Sequence, residues 1–334
     1  MASRTPTVST VPTVPFRTAL HLCACAALFA AAPPPARAQH DARAGTEIAA
    51  ARFDYSTIPL PRFDAHVRPM TAAAPANTSP VGALPLDAQV AWLQRAAQHG
   101  DLERLDDAQL IALFSSLDPL AVPRYIAAGP NGYDSYEFTM RRRERIHGQW
   151  PARPDHMLVR VSHDPLRIYA KWLPDGAHAG QEVMYDATTR GDAVYGHLGG
   201  LLRAVSIWTS VDGFLARTQS RHRVTDLGTE YIARRFLAEG ERFAQAGVAE
   251  PPRIGVETVD GVRVVTFTYT APTGSTGFYA DKETLGLDLR HPWFRVARSY
   301  DGDGRLFEDV VFEQVEPKTF DALTFDPKNP AYRF

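Results

Sequence analysis

From Tyr133 to Val315 apolar and polar positions largely alternate, the two-residue period of strands with one buried face. Tyr136, Phe138 and Met140 lead into the charged run Arg141–Arg145. Met157, Val159 and Val161 alternate with Leu158, Arg160 and Ser162, and Ile168, Ala170 and Trp172 alternate with Tyr169, Lys171 and Leu173. Two more strands, Gln181–Ala187 and Asp192–His197, flank a polar turn at Gly191. Later, Arg253–Val259 and Val262–Thr270 enclose Asp260-Gly261, a two-residue hairpin signal. Strands Phe278–Lys282, Phe294–Tyr300 and Arg305–Val315 follow, the last two joined by Asp301-Gly302-Asp303-Gly304. Between the two sets the period becomes helical. Thr225-Asp226 opens that helix, and Leu227, Tyr231, Ile232, Phe236 and Phe243 form its apolar face. Gly240 is expected to interrupt it, and Gly247 with Pro251-Pro252 to end it.

Ahead of the strands lies a second helical stretch. Leu86, Val90, Leu93 and Ala97 share one face, and Asp106-Asp107 opens a helix carrying Leu110, Ile111, Leu113 and Phe114. Pro119 and Pro123 limit any helix between Asp118 and Gly129. Successive antiparallel strands with segregated helices predict an α+β fold. The expected architecture is a curved antiparallel sheet, an incomplete and half-open β-barrel, with helices on its concave face. One domain is expected over residues 86–334, with N-terminal helices at 86–129 and a helical insert at about 205–247.

The N-terminus has a different character. Arg4 and Arg17 precede an apolar stretch, Ala19–Ala32, which is followed by Pro33-Pro34-Pro35 and Ala36-Arg37-Ala38. This is the layout of a secretory signal peptide cleaved after Ala38, and it predicts a periplasmic protein. Residues 39–85, broken by Pro59, Pro61, Pro69, Pro75, Pro80 and Pro85, read as a disordered leader. Both cysteines, Cys23 and Cys25, fall inside the signal segment. Its removal leaves a cysteine-free chain of 33 basic and 38 acidic residues, net −5. That excludes a thiol nucleophile, a thiolate metal ligand and a disulfide framework. Nor does it suggest a nucleic-acid partner.

Chemistry-bearing motifs are sparse. There is no phosphate-binding glycine loop, dinucleotide fingerprint or H-E-x-x-H, and no metal site is read from the scattered histidines. The Arg141–Arg145 run is expected to be a solvated strand face, with Glu144 pairing locally. His222, in Arg221-His222-Arg223, is expected to bond a carboxylate such as Glu182. Trp172, Met184, Trp208, Phe236, Phe267 and Trp293 are the candidate lining of an apolar cavity between sheet and helices.

Two stretches carry resemblances, the first being Arg160–Gly228. Asp164-Pro165-Leu166-Arg167-Ile168-Tyr169-Ala170-Lys171-Trp172 is followed by Gly180-Gln181-Glu182-Val183-Met184-Tyr185 and Arg221-His222-Arg223-Val224-Thr225-x-x-Gly228. With Glu144 upstream and the ending Phe325-Asp326-Pro327 to Phe334, residues 86–334 resemble domain of unknown function family 1571, a bacterial envelope family. Glu144, Tyr169, Glu182, Tyr185, Arg221 and His222 are the polar residues of that resemblance. Phe278–Asp326 is similar to the C-terminal sheet of periplasmic lipoprotein carriers of the Lol type. This second resemblance implies an incomplete barrel closed by helices that holds acyl chains.

The first functional expectation is a non-catalytic periplasmic protein that binds a lipid or a lipoprotein's acyl chain, with no cofactor. A second is an envelope sensor or scaffold, marked by an exposed apolar patch and a protein partner. A third is a hydrolase using His222 with Glu182 or Glu144, which requires those groups to converge.

Overall fold

The computed structural model describes residues 80–127, 133–245 and 252–334, all within the compact unit 46–334. The signal segment and residues 39–79 of the leader lie outside the described residues, as does the expected helix end at Gly247 and Pro251.

Among the described residues eleven strands form one open antiparallel sheet. They are β1 (Ser135–Glu144), β2 (Asp155–Ser162), β3 (Arg167–Trp172), β4 (Glu182–Asp186), β5 (Ala193–His197), β6 (Ile207–Ser210), β7 (Arg253–Val259), β8 (Val262–Thr270), β9 (Lys282–Asp288), β10 (Phe294–Tyr300) and β11 (Leu306–Pro317). Their order is β6-β5-β4-β3-β2-β1-β11-β10-β9-β8-β7. Each half is a meander, and β1 pairs with β11 to join the halves in the middle. The chain therefore leaves one outer edge at β6 and re-enters at the opposite edge, β7. The described residues 211–245 form most of this crossover.

The helices are α1 (Leu86–Gln98), α2 (Asp101–Arg104), α3 (Asp107–Ser116), α4 (Ala121–Ala127), α5 (Ala187–Arg190), α6 (Phe214–Gln219) and α7 (Thr229–Gln245). Asp106 caps α3, its Oδ1 accepting from Gln109 N at 2.8 Å while Gln109 Oε1 accepts from Asp106 N at 2.9 Å. This reciprocal pair fixes the helix start that the acidic dipeptide predicts. The helix α7 packs on α4 and β10, and α3 packs on β7. One core links their apolar faces to Phe138, Met157, Val159, Ile168, Ala170, Leu285 and Phe312 of the sheet. No single described helix is long and apolar enough to cross a membrane.

Several expectations are corrected. The strand expected at Phe278–Lys282 is β9, at Lys282–Asp288. Thr225-Asp226 belongs to a 3-10 turn, Val224–Asp226, and α7 begins at Thr229. Asp226 spends its carboxylate on Arg223 N at 2.9 Å, capping that turn instead. Gly240 does not interrupt α7. The helical insert expected at about 205–247 contains an edge strand, β6. Residues 81–83 of the expected leader form one 3-10 turn.

Candidate functional site

The buried face of β1 begins with Tyr136, Phe138 and Met140 and ends with Arg142 and Glu144. The Arg141–Arg145 run is therefore not a solvated face throughout. Arg141 pairs outward with Asp260 and Glu313, whereas Arg142 is buried between Glu144 and Asp155. In the strand register Glu144 stands opposite Glu308 of β11, Glu308 opposite Ser299 of β10, and Ser299 opposite Glu283 of β9. Three buried carboxylates thus form a row across four central strands. Like charges directly opposite one another destabilise a sheet unless cations intervene.

The cations come from β1 and the crossover. His222 Nε2 meets Glu308 Oε1 at 2.5 Å and the Tyr279 hydroxyl at 3.1 Å. Arg235 of α7, almost completely buried, pairs with Glu283 and reaches Glu308 Oε2 at 3.5 Å. Ser220 Oγ and Arg221 N donate to the two oxygens of Glu144 at 3.1 and 2.5 Å. Burial works against a charged His222, but Glu308, Glu144 and Asp226 outweigh it and raise its pKa. Burial opposes the charge on Glu308 as well, yet His222 and Arg235 hold its carboxyl far below the usual range. Burial pushes Glu283 up to about 7 despite Arg235, with Glu239 and Glu308 adding repulsion.

Glu144, His222 and Glu308 bring three ligand atoms within 4.8 Å of one another, a metal-like grouping invisible in the sequence because its members are 78 and 86 positions apart. Arg142, Arg235 and His222 already pair with the carboxylates of this grouping, so a divalent cation would have to compete with them for Glu144 and Glu308. The expected partner of His222 is corrected. Its carboxylate is Glu308, not Glu182, with Glu144 in the same cluster.

Beside this charged belt lies a cavity of about 280 Å³. Arg142, Trp172 and His222 form part of its wall. Val183 and Val194 of the sheet and Val224 and Leu227 of the crossover supply apolar surface, with Leu202 and Ile207 toward solvent. Of the six aromatic and methionine candidates, Trp172 lines this cavity. Phe236, Phe267 and Trp293 are in the solid core between helices and sheet. Met184 and Tyr169 face the opposite side of the sheet, because residues 169 and 184 alternate with the core-facing Ile168, Ala170 and Tyr185. Trp208 is exposed on β6, with the Arg190 guanidinium 5.0 Å from its ring centre.

The polar residues of the sequence resemblance separate into two clusters. Glu144, Arg221 and His222 belong to the charged belt. Tyr169 and Glu182 receive the C-terminal tail on the other face. Tyr332 stacks on Tyr169 at 4.1 Å, while Tyr169 Oη and Arg333 N donate to Glu182 Oε2 at 3.1 and 3.2 Å. Tyr185 lies in the main core and donates to Gly191 O at 3.1 Å.

No curated protein matches the chain. Among solved structures it is similar to an uncharacterized conserved protein from Thermus thermophilus, at 10% identity over 58% of this chain and 85% of that one, TM-score 0.33. The lipoprotein LppX of Mycobacterium tuberculosis aligns at 16% identity over 61% of this chain and 98% of that one, TM-score 0.34. A LolA-superfamily protein from Nitrosomonas europaea aligns at 12% identity over 58% and 90%, TM-score 0.23. A family model, "Protein of unknown function (DUF1571)", matches residues 133–334, which span β1 to the tail and hold both polar clusters. The chain belongs to that family.

Proposed function

We propose that this protein is an exported, non-catalytic carrier or receptor that takes one acyl chain of a lipid or lipoprotein into the cavity beside the charged belt. The carrying observation is the cavity itself. At about 280 Å³ it sits near the lower bound of small-molecule sites, and apolar side chains from sheet and crossover form much of its wall. Each methylene moved there from water contributes about 0.8 kcal/mol. The neighbouring polar groups are engaged in holding the fold. His222 is spent on Glu308 and Tyr279, and the Ser220 hydroxyl on Glu144. That favours binding over hydrolysis.

Organic extraction of the purified protein followed by mass spectrometry should release a lipid, and the emptied protein should shift the emission of a fluorescent fatty acid. Ala216→Trp, which projects an indole from the cavity wall, should weaken that binding at least about tenfold while unfolding remains cooperative. The absence of both an extracted lipid and a fluorescence shift would overturn the reading.

A further inference from the structure

Of the eight large apolar side chains exposed among the described residues, six lie between residues 201 and 214. Leu201 is 99% exposed and Phe214 80%, with Leu202, Val205, Ile207 and Trp208 between them. They occupy the 3-10 turn Gly200–Ala204 with its C-cap Val205, the edge strand β6 and the start of α6. Leu202, Val205 and Ile207 also line the cavity, so that part of the rim is continuous with its interior, while Trp208 turns to the other face of the edge strand against Tyr195. A concentrated apolar patch of this kind marks a surface that meets something.

Charge selects the occupant. The full chain carries a formal −2, yet residues 187–223 hold five arginines against two aspartates. Arg203 stands exposed in the apolar turn, and Arg190 lies over the ring of Trp208. Asp212, the acid nearest Phe214, is neutralised by Arg217 at 3.0 Å and Arg223 at 2.7 Å. Leucines on a turn, an edge tryptophan and surrounding arginines have the chemistry of a segment that enters the headgroup region of a bilayer. We infer that the rim Leu201–Phe214 is a membrane-docking lip for anionic lipid surfaces, which places the cavity mouth against the leaflet. The docking itself stands independently of the cavity's ligand.

The test is co-sedimentation of the purified protein with vesicles of equimolar phosphatidylglycerol and phosphatidylcholine, compared with phosphatidylcholine alone. Binding should favour the anionic vesicles, weaken as salt rises, and quench Trp208 when the acyl chains are brominated. Leu201→Asp with Phe214→Asp should lower partitioning at least about tenfold. Trp208→Phe should remove the quenching. The Asp variant should keep its unfolding midpoint and its affinity for a soluble fluorescent fatty acid, since both side chains are exposed and neither lines the cavity. Equal pelleting of wild type and the Asp variant overturns the lip. So does wild-type dimerisation abolished by those aspartates without vesicle binding, which makes the rim an interface between copies. Vesicle binding without fatty-acid binding supports the lip and overturns the acyl-cavity reading.

Discussion

Gly228 shows how a single residue holds the crossover in place. Its φ of 145° and its position against the sheet both favour glycine, because a Cβ there would lie 2.8 Å from Tyr136 Oη and 2.6 Å from Glu230 Oε2. Gly228→Ala should therefore cost about 1–3 kcal/mol of unfolding free energy, measured by urea denaturation. The belt beside it sets a pH dependence. His222 has a raised folded pKa, so the stability it contributes is full below its unfolded value near 6.5 and is lost as pH rises through the folded one. Glu283, pushed up to about 7, keeps a proton that the unfolded chain releases near 4.5. Its share also falls as pH rises from about 4.5 to 7. Glu308 has the opposite sign, since its depressed pKa is felt only as pH falls through the acid range below its unfolded value. Stability should thus decline as pH rises from about 4.5 to 7 and further through the raised pKa of His222, and Glu283→Gln should flatten the lower part of that decline in paired thermal melts. An unchanged slope in the glutamine variant would remove Glu283 from the account. Of this network the sequence offers Glu144 and His222 as candidate partners, and the structure brings them together. Arg235, Glu283 and Glu308 carry no local signal of burial, and only strand register brings the carboxylates into one row.

Among the elements, those with strong periodicity were legible and those stabilised from outside were not. The strands β1 and β2 alternate cleanly, and the Asp260-Gly261 turn marks the β7–β8 hairpin with both residues at positive φ, 50° and 80°. The strand β9 escaped because Gly286 interrupts its side-chain pattern. That glycine is needed where Val296 and Val264 close over the backbone and leave no room for a Cβ. The four residues of β6 are too short to alternate convincingly, and pairing with β5 makes them a strand. The C-terminal tail was legible as a family ending but not as a packing element. It covers Tyr169 and Met184 on the face away from the cavity, with Phe325 buried against them. Tyr332→Ala should cost about 2–4 kcal/mol by removing the stack on Tyr169 and the bond to Thr324 O at 2.6 Å. Tyr332→Phe keeps the ring and should lose about 1 kcal/mol. Because the tail and the cavity occupy opposite faces, both variants should retain fatty-acid affinity, read by fluorescence titration.

The whole molecule combines a doubly paired centre with a lightly held flank. β1 and β11 are hydrogen-bonded on both sides and carry the charged belt, whereas β6 has one neighbour and exposes most of its side chains. Opening free energy follows local packing and pairing, so amide exchange should be slowest in β1, β2 and β11 and fastest in β6 and the turn Gly200–Ala204. The cavity lies between these regimes. Its inner wall includes Arg142 and His222 of the belt, and its outer wall is the β5–β6 hairpin with α6. A ligand that fills it replaces missing contacts mainly for the outer wall. Titration with a fatty acid should slow exchange in residues 193–227 and leave β1 and β11 nearly unchanged. Protection spread evenly over the sheet would instead indicate global stabilisation by a ligand seated elsewhere. The crossover makes the confined outcome the expected one. His222 and Arg235 anchor it to the central strands by buried charge, so the β5–β6 side is left to move when the cavity fills.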